Sequence, residues 1–112
     1  MSSGAANANW GDVYYCQMTN SLGITLEGEK ESYKLEKFTF KLDQTKNAMV
    51  FGSTGWFTDS VKELVKDASF PILENWYAKD QFSMAYFGEG KFLYTQNISF
   101  GIVSISADCD KF

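Results

Sequence analysis

The stretch of sequence that decides the fold is FSMAYFGEGKFLYTQ, residues 82–96. Two runs rich in aromatic residues flank Gly88-Glu89-Gly90, a short glycine-containing connection that is typical of a β-hairpin. A further run of alternating apolar and polar residues, Phe100–Cys109, follows after a short polar break. Three strands that succeed one another with short connections predict an antiparallel meander in the second half of the chain.

The first half of the chain carries more strand signals, separated by polar turns. Apolar and polar residues alternate, or β-branched and aromatic residues cluster, in segments 13–19, 22–27, 32–42 and 48–51. Asn20-Ser21 is predicted to be a turn, and the alternation shifts by one residue near Glu36-Lys37, which predicts a β-bulge or a bend.

With a further strand at 76–78, the pattern gives seven or eight antiparallel strands. A sheet of short sequential strands protects its edges by closing on itself. We therefore expect a mainly β fold, either a small antiparallel β-barrel or a strongly curled sheet.

One segment, at about 59–69, has the periodicity of a helix. Its apolar residues recur at i, i+3, i+4 and i+7, on one face of a helix: Val61, Leu64, Val65 and Ala68. Ser60 and Glu63 have the spacing of a capping box, and Pro71 prevents the helix from continuing. The sequence thus predicts a single helix that packs its apolar stripe on the sheet.

Two cysteines lie near opposite ends of the chain, Cys16 and Cys109, each within a predicted strand. This placement favours one disulfide that joins neighbouring strands, although two buried free thiols would fit the same positions, since free cysteine behaves as a small hydrophobic residue. A structural disulfide requires an oxidising compartment. We therefore expect a secreted or periplasmic protein.

The length of 112 residues suits one domain, and we assign residues 10–112 to a single β domain. Residues 1–9 are small and polar, and we expect a flexible N-terminus. Ala6-Asn7-Ala8 fits the pattern left around a signal-peptidase site, so this segment is either a signal remnant, with Met1 added for expression, or an ordinary disordered end. The chain contains no run of 18 apolar residues, so we expect no transmembrane helix.

The composition excludes several classes of site. Histidine is absent and all ten basic residues are lysine, so the chain has no histidine base, no imidazole metal ligand and no arginine clamp for phosphate. The net charge of −4 argues against nucleic-acid binding. No nucleophile motif or clustered metal ligand is present. We expect no catalytic residue, no metal, no cofactor and no enzymatic activity.

The high aromatic content is the one positive signal for function. The chain has ten Phe, six Tyr and three Trp, most of which we expect in the core. Trp56 and Phe57 lie in a predicted loop, and Trp76 and Tyr77 follow the connection that contains Pro71. We predict that these four residues include the anchors of a binding surface, with packing around the helix as the alternative.

Two functions fit these observations. The first is a non-enzymatic module that recognises a protein partner through its loop aromatics. The alternative is a lipocalin-like carrier, whose barrel would hold a small apolar ligand. The carrier is less favoured, because 112 residues leave little room inside a barrel and the phenylalanines would fill it.

In architecture alone, the predicted chain resembles the small periplasmic lysozyme inhibitors, compact antiparallel barrels with a cysteine near each end. Their recognition segment contains serine and glycine followed by basic and tyrosine residues, and Gly52-Ser53-Thr54-Gly55 lacks those following residues. The resemblance therefore implies a barrel and carries no inhibitory residue over to this chain.

Overall fold

The computed structural model describes residues 8–65 and 76–112, which form nine β-strands and no helix. The strands are β1 Val13–Thr25, β2 Lys30–Ser32, β3 Lys37–Asp43, β4 Ala48–Phe51, β5 Val61–Val65, β6 Trp76–Lys79, β7 Ser83–Gly88, β8 Lys91–Ile98 and β9 Gly101–Lys111. All pairings between them are antiparallel. The mainly β prediction is confirmed.

The long strand β1 closes the sheet into a barrel. Its first half pairs with β3, its second half pairs with β2, and its other edge pairs with β9. Strand β1 and strands β3 to β9 thus form a closed eight-stranded barrel, while β2 lies outside the ring. Closure removes the exposed edges that an open sheet of this size would present.

The cysteines lie directly opposite each other on the seam between β1 and β9. Cys16 and Cys109 are register partners, and a disulfide joins them across 93 positions of sequence. Both side chains are buried. The predicted disulfide and the predicted adjacency of the two terminal strands are confirmed.

The predicted turn at Asn20-Ser21 is wrong, because β1 continues through it with a bulge. The register with β9 shifts between Met18 and Asn20, so the inward-facing position passes from Met18 to Ser21. Thr19 and Asn20 point outward and both hydrogen-bond the Ser106 hydroxyl, at 2.7 and 2.8 Å. Polar residues that are typical of a turn are therefore found in a β-bulge instead.

The predicted strand 32–42 is a strand only over residues 37–42, because Ser32 is the last residue of β2 and residues 33–36 are not in a strand. The phase shift near Glu36-Lys37 marks the start of β3. β2 ends at Ser32 and β3 begins at Lys37. Between them the chain moves from the second half of β1 to its first half, and the Glu36 carbonyl accepts a hydrogen bond from the Met18 amide at 3.0 Å. The observed feature is a break between two pairings rather than a bulge within one strand.

The predicted helix at about 59–69 is wrong over residues 61–65, which form β5; residues 66–69 lie outside the described part of the chain. β5 pairs with β4 on one side and with β6 on the other. Lys62 and Leu64 point inward, whereas Val61 is 52% exposed. The hydrogen bonds on both edges that close the barrel outweigh the local helical pattern, because intrinsic propensity amounts to only a few tenths of a kcal/mol per residue.

Aromatic rings fill the barrel. Phe38, Phe51 and Phe92 meet at centroid distances of 5.0 to 6.1 Å, and Tyr14 packs against Phe87 at 4.5 Å. All five are buried. The interior is therefore a packed core, as expected for a small barrel.

The chain that precedes β1 is attached to the barrel. Ala8 and Trp10 pack against the core, and the Gly11 amide donates to the Leu42 carbonyl at 2.7 Å. Residues 1–7 of the predicted flexible N-terminus lie outside the described residues. In the part of the chain that the structure describes, no helix is long and apolar enough to cross a membrane.

Candidate functional site

The loop between β4 and β5, residues 52–60, carries the first pair of predicted site residues. The Gly52 amide donates a hydrogen bond to the Thr39 carbonyl at 3.0 Å, and the Asp59 amide donates one to the Gly52 carbonyl at 2.8 Å. Gly55 has a φ of 80°, a left-handed conformation that glycine adopts without steric cost. These bonds close the loop on itself and attach it to β3, which restrains its backbone.

Trp56 and Phe57, adjacent in sequence, point in opposite directions. The Phe57 side chain is 1% exposed and contacts the rings of Phe51 and Tyr94 at 4.7 and 4.8 Å. The Trp56 side chain is 44% exposed. Phe57 therefore anchors the loop in the core and cannot touch a partner, whereas Trp56 presents its ring to solvent on a fixed backbone.

A groove of about 440 Å³ lies beside this loop, on the outer side of β1, β3 and β9. Thr54, two residues before Trp56, forms part of its wall. The rest of the wall is mixed in chemistry. Buried Cys16 and Phe38 contribute to it, and its other members are one exposed aromatic, polar groups and charges of both signs: Tyr15, Gln17, Lys37, Thr39, Asp108 and Asp110. Such a mixture of an exposed ring and charged rim groups suits recognition of a polar macromolecular surface.

Tyr15 forms the aromatic part of this groove. Its side chain is exposed, and its ring meets that of Phe112 edge-on at 5.2 Å. Tyr15 thus places an exposed aromatic side chain in the groove, and the loop that carries the exposed Trp56 contributes Thr54 to the same wall. Tyr15 is not among the site residues predicted from the sequence, because its neighbours have the pattern of an ordinary half-buried strand.

Trp76 and Tyr77, the second predicted pair, lie elsewhere and apart from each other. Trp76 is half-buried and meets Trp10 edge-on at 4.9 Å, which covers one end of the core. Tyr77 is on the opposite face of β6 and contacts Tyr86 at 5.3 Å. Within residues 8–65 and 76–112, no ring contact links either side chain to Trp56. The four predicted residues therefore do not form one cluster.

A polar cluster joins β5 to the turn between β6 and β7. The Lys62 side chain is 13% exposed. Its ammonium group donates hydrogen bonds to Asp80 Oδ2 at 2.8 Å and to Ser83 Oγ at 3.2 Å. Ser83 Oγ in turn donates to Asp80 Oδ1 at 2.8 Å. Lys62 donates hydrogen bonds to both side chains and the Ser83 hydroxyl donates to Asp80, so the three groups together stabilise the turn.

The charge of Asp80 depends on this cluster. Burial by itself would raise the pKa of Asp80, but hydrogen bonds from Lys62, Ser83 and the Phe82 amide outweigh it and lower the pKa from the ordinary 3.8 to about 2. The folded protein therefore holds Asp80 ionised at pH values where the unfolded chain has begun to bind a proton.

This difference predicts a pH dependence of stability. Because the pKa of Asp80 is lower in the folded state, its contribution is complete above about pH 5 and is lost as the pH falls through 4 toward 2. Asp80→Asn should reduce stability at pH 7 by about 1 kcal/mol and should flatten the loss between pH 4 and 2. Urea unfolding at several pH values measures both effects. Glu27→Gln, which removes an exposed carboxylate, is the control, and identical pH profiles for wild type and Asp80→Asn would contradict the prediction.

Two acidic residues, Asp108 and Asp110, lie on the outward side of β9. Asp108 Oδ1 forms an ion pair with Lys91 Nζ at 2.6 Å, and Asp110 lines the groove. Among the residues that the structure describes, no group of three or more acidic, cysteine or histidine side chains is placed to hold a metal ion.

Comparison with known proteins gives no identity: no family model, no curated protein and no solved structure matches the chain.

Proposed function

We propose that this chain is a non-enzymatic binding module that recognises a protein partner through Trp56 and the groove beside it. The single observation that carries the proposal is the opposite orientation of two adjacent rings. Phe57 is held in the core, and Trp56 is exposed on the same rigid loop. An exposed tryptophan on a fixed backbone loses little entropy when it binds, and tryptophan is the residue most enriched among interface hot spots.

The groove supplies the polar part of the contact. Lys37 and Asp110 provide charges of opposite sign on its wall, while Asp108 is already paired with Lys91. Charges at the rim of an interface orient the partner and speed association more than they add affinity. The combination of Tyr15, Trp56 and these rim charges favours a protein surface over a purely apolar ligand.

The packed interior also supports a binding module over a carrier. The ring of Phe57 lies 4.9 Å from that of Phe38 and 5.5 Å from that of Phe92. Rings at such distances occupy the space that a lipocalin-like carrier would need for its ligand. Any partner then binds on the outside of the barrel.

The disulfide supports an oxidising compartment. Cys16 and Cys109 link the two ends of the domain, and such structural disulfides persist in secreted and periplasmic proteins. We place the protein there, where its partner would also be found.

The first test is the loss of partner affinity in Trp56→Ala. The partner is captured on immobilised protein from the secreted and envelope fractions of the cells that produce this chain, and its affinity is then measured by titration. Removing a hot-spot ring should weaken binding by about 2 kcal/mol, or roughly 30-fold, with the free energy of unfolding changed by less than about 0.5 kcal/mol.

Met84→Ala is the matched control, because Met84 is apolar and 46% exposed, close to the exposure of Trp56, but lies on β7 away from the groove. Its affinity should equal that of wild type. Equal affinities for wild type and Trp56→Ala would exclude Trp56 as an anchor and refute the proposal.

A further inference from the structure

Strand β2 is the one described strand that has a neighbouring strand on a single side only. It pairs with the second half of β1, and no described strand pairs with its other edge. All three of its residues, Lys30–Ser32, are exposed. An open edge presents backbone groups that another extended chain can bond. This free edge is therefore the place where the sheet can accept a further strand.

The backbone groups on the free edge belong to Lys30 and Ser32. The Tyr33 amide donates a hydrogen bond to the Ser21 carbonyl at 2.8 Å, which directs the backbone groups of Tyr33 toward β1. Because this direction alternates along a strand, the N–H and C=O groups of Lys30 and Ser32 are directed away from β1. An added strand would bond these two residues without displacing any bond between β1 and β2.

The short strand β2 is held firmly against β1. The ring of Tyr33 lies over Gly23 of β1, where an added Cβ atom would approach Tyr33 Cε2 to 2.8 Å. The Thr25 amide donates a hydrogen bond to the Glu29 carbonyl at 2.9 Å, and Gly28 has a φ of 87° in the turn between the two strands. An edge that is already ordered loses little conformational entropy when a further strand binds.

An apolar depression of about 300 Å³ lies next to β2. Leu22, Ile24 and Ile102 form the apolar part of its wall, and β2 borders it. Ser32 is the register partner of Leu22, and its side chain is small. A large apolar side chain placed opposite Ser32 on an added strand can therefore extend over the serine toward Leu22.

The other side of β2 carries the Glu31 carboxylate. Glu31 is the register partner of Gly23, which has no side chain, and it forms no ion pair with any described residue. In an antiparallel strand added at the free edge, the residue opposite Glu31 belongs to a non-hydrogen-bonded pair, in which the two side chains lie close together. A lysine or arginine at that position would balance the charge of Glu31, and a carboxylate in the next position would lie opposite Lys30.

A second copy of β2 does not meet these requirements. Full antiparallel overlap of two identical strands places one Glu31 directly opposite the other, and like charges at such positions are destabilising. Charged residues on a short edge are a common protection against self-association. The charges of this edge therefore favour a different chain that carries the complementary ones.

We propose that the free edge of β2 binds an extended segment of a partner protein, which adds an antiparallel strand to the sheet. The segment has a large apolar residue opposite Ser32, a basic residue opposite Glu31 and an acidic residue opposite Lys30. The backbone bonds supply affinity, and the depression and the charges select the sequence. The edge and the depression share no residue with the groove.

A synthetic octapeptide with Leu-Lys-Glu at its centre is the probe, titrated to about 5 mM into ¹⁵N-labelled protein. We expect the amide signals of Lys30 and Ser32 to shift and to exchange more slowly with solvent, because these N–H groups bond the added strand. Ser32→Pro removes one of these donors and no bond between β1 and β2, and should weaken peptide binding roughly fivefold or more.

An exchange of charges tests the register. Glu31→Lys should weaken binding of this peptide roughly fivefold or more and should recover affinity for a peptide with Leu-Glu-Glu at its centre. Glu63→Lys makes the same change at an exposed position on β5 and is the control. It should bind both peptides as wild type does.

Circular dichroism and thermal melting establish that each variant is folded. Lys30 and Ser32 signals that stay unchanged at the highest peptide concentration would overturn the inference. Peptide binding that neither Ser32→Pro nor Glu31→Lys weakens would overturn it as well. These outcomes are separate from the proposed function, since Ser32→Pro should keep the partner affinity that Trp56→Ala loses, and Trp56→Ala should keep the binding of the peptide.

Discussion

Replacing Phe57 with alanine is expected to reduce the free energy of unfolding by about 3 to 5 kcal/mol. The ring is buried among four others, those of Phe38, Phe51, Phe92 and Tyr94, at centroid distances of 4.7 to 5.5 Å. Its removal leaves a cavity that these rings cannot fill without breaking their own contacts. The same ring also holds the loop that presents Trp56.

Urea unfolding of Phe57→Ala beside Trp56→Ala measures the effect. The two residues are neighbours in sequence and both are large aromatics, so Trp56→Ala is the closest available control. It should cost less than about 0.5 kcal/mol. Similar losses in the free energy of unfolding for the two variants would contradict the inward orientation of Phe57 and the outward orientation of Trp56.

Removing the disulfide is expected to have the second largest effect. The bridge between Cys16 and Cys109 closes a loop across 93 positions, for which chain entropy predicts a stabilisation of up to about 4.7 kcal/mol. The double variant with serine at both positions should therefore melt on the order of 20 °C below wild type.

The far-ultraviolet spectrum of that double variant should stay that of a β-sheet protein at low temperature, because ten further register positions between Tyr14 and Thr25 hold β1 to β9 apart from the bridge itself. Reduction of wild type with a phosphine is the matched measurement, since it breaks the same bond without a substitution. A melting temperature within about 5 °C of wild type in both experiments would show that the seam does not depend on the disulfide.

Much of the architecture could be predicted from the sequence because it depends on alternation and on position. The run around Gly88-Glu89-Gly90 indicated a hairpin, and the structure places Glu89 and Gly90 at positive φ in the turn. The two cysteines could be paired because each lay in a terminal strand, and a barrel brings its terminal strands together. The closed barrel could be predicted because the chain contains enough short strands that follow one another in sequence.

β5 could not be predicted, because two periodicities compete in the same five residues. Val61, Leu64 and Val65 satisfy helical spacing, whereas the strand directs Lys62 and Leu64 inward. In the sequence alone, a lysine predicts a solvent-exposed position, whereas Lys62 points inward. Its partner Asp80 lies 18 positions away, so only the closed sheet shows how that charge is balanced.

The candidate site was predicted in part for a similar reason. Trp56 was identified from its loop context, but nothing local to Gly55-Trp56-Phe57 says which ring points inward. The direction depends on β3 and β8, whose rings receive Phe57. The exposed side of β7 could not be identified either, because Met84 and Tyr86 alternate with Ala85 and Phe87, which are equally apolar, so the pattern did not distinguish the two sides of the strand.

The binding role of Trp56 is tested most directly by the indole N–H signals of the three tryptophans in a ¹⁵N-labelled sample. Trp10 and Trp76 pack against each other at 4.9 Å and serve as internal references, whereas Trp56 is exposed. Adding the captured partner should shift the Trp56 indole signal and protect it from solvent exchange, with the Trp10 and Trp76 signals nearly unchanged. A bound complex in which the Trp56 signal stays in place would contradict the proposed site.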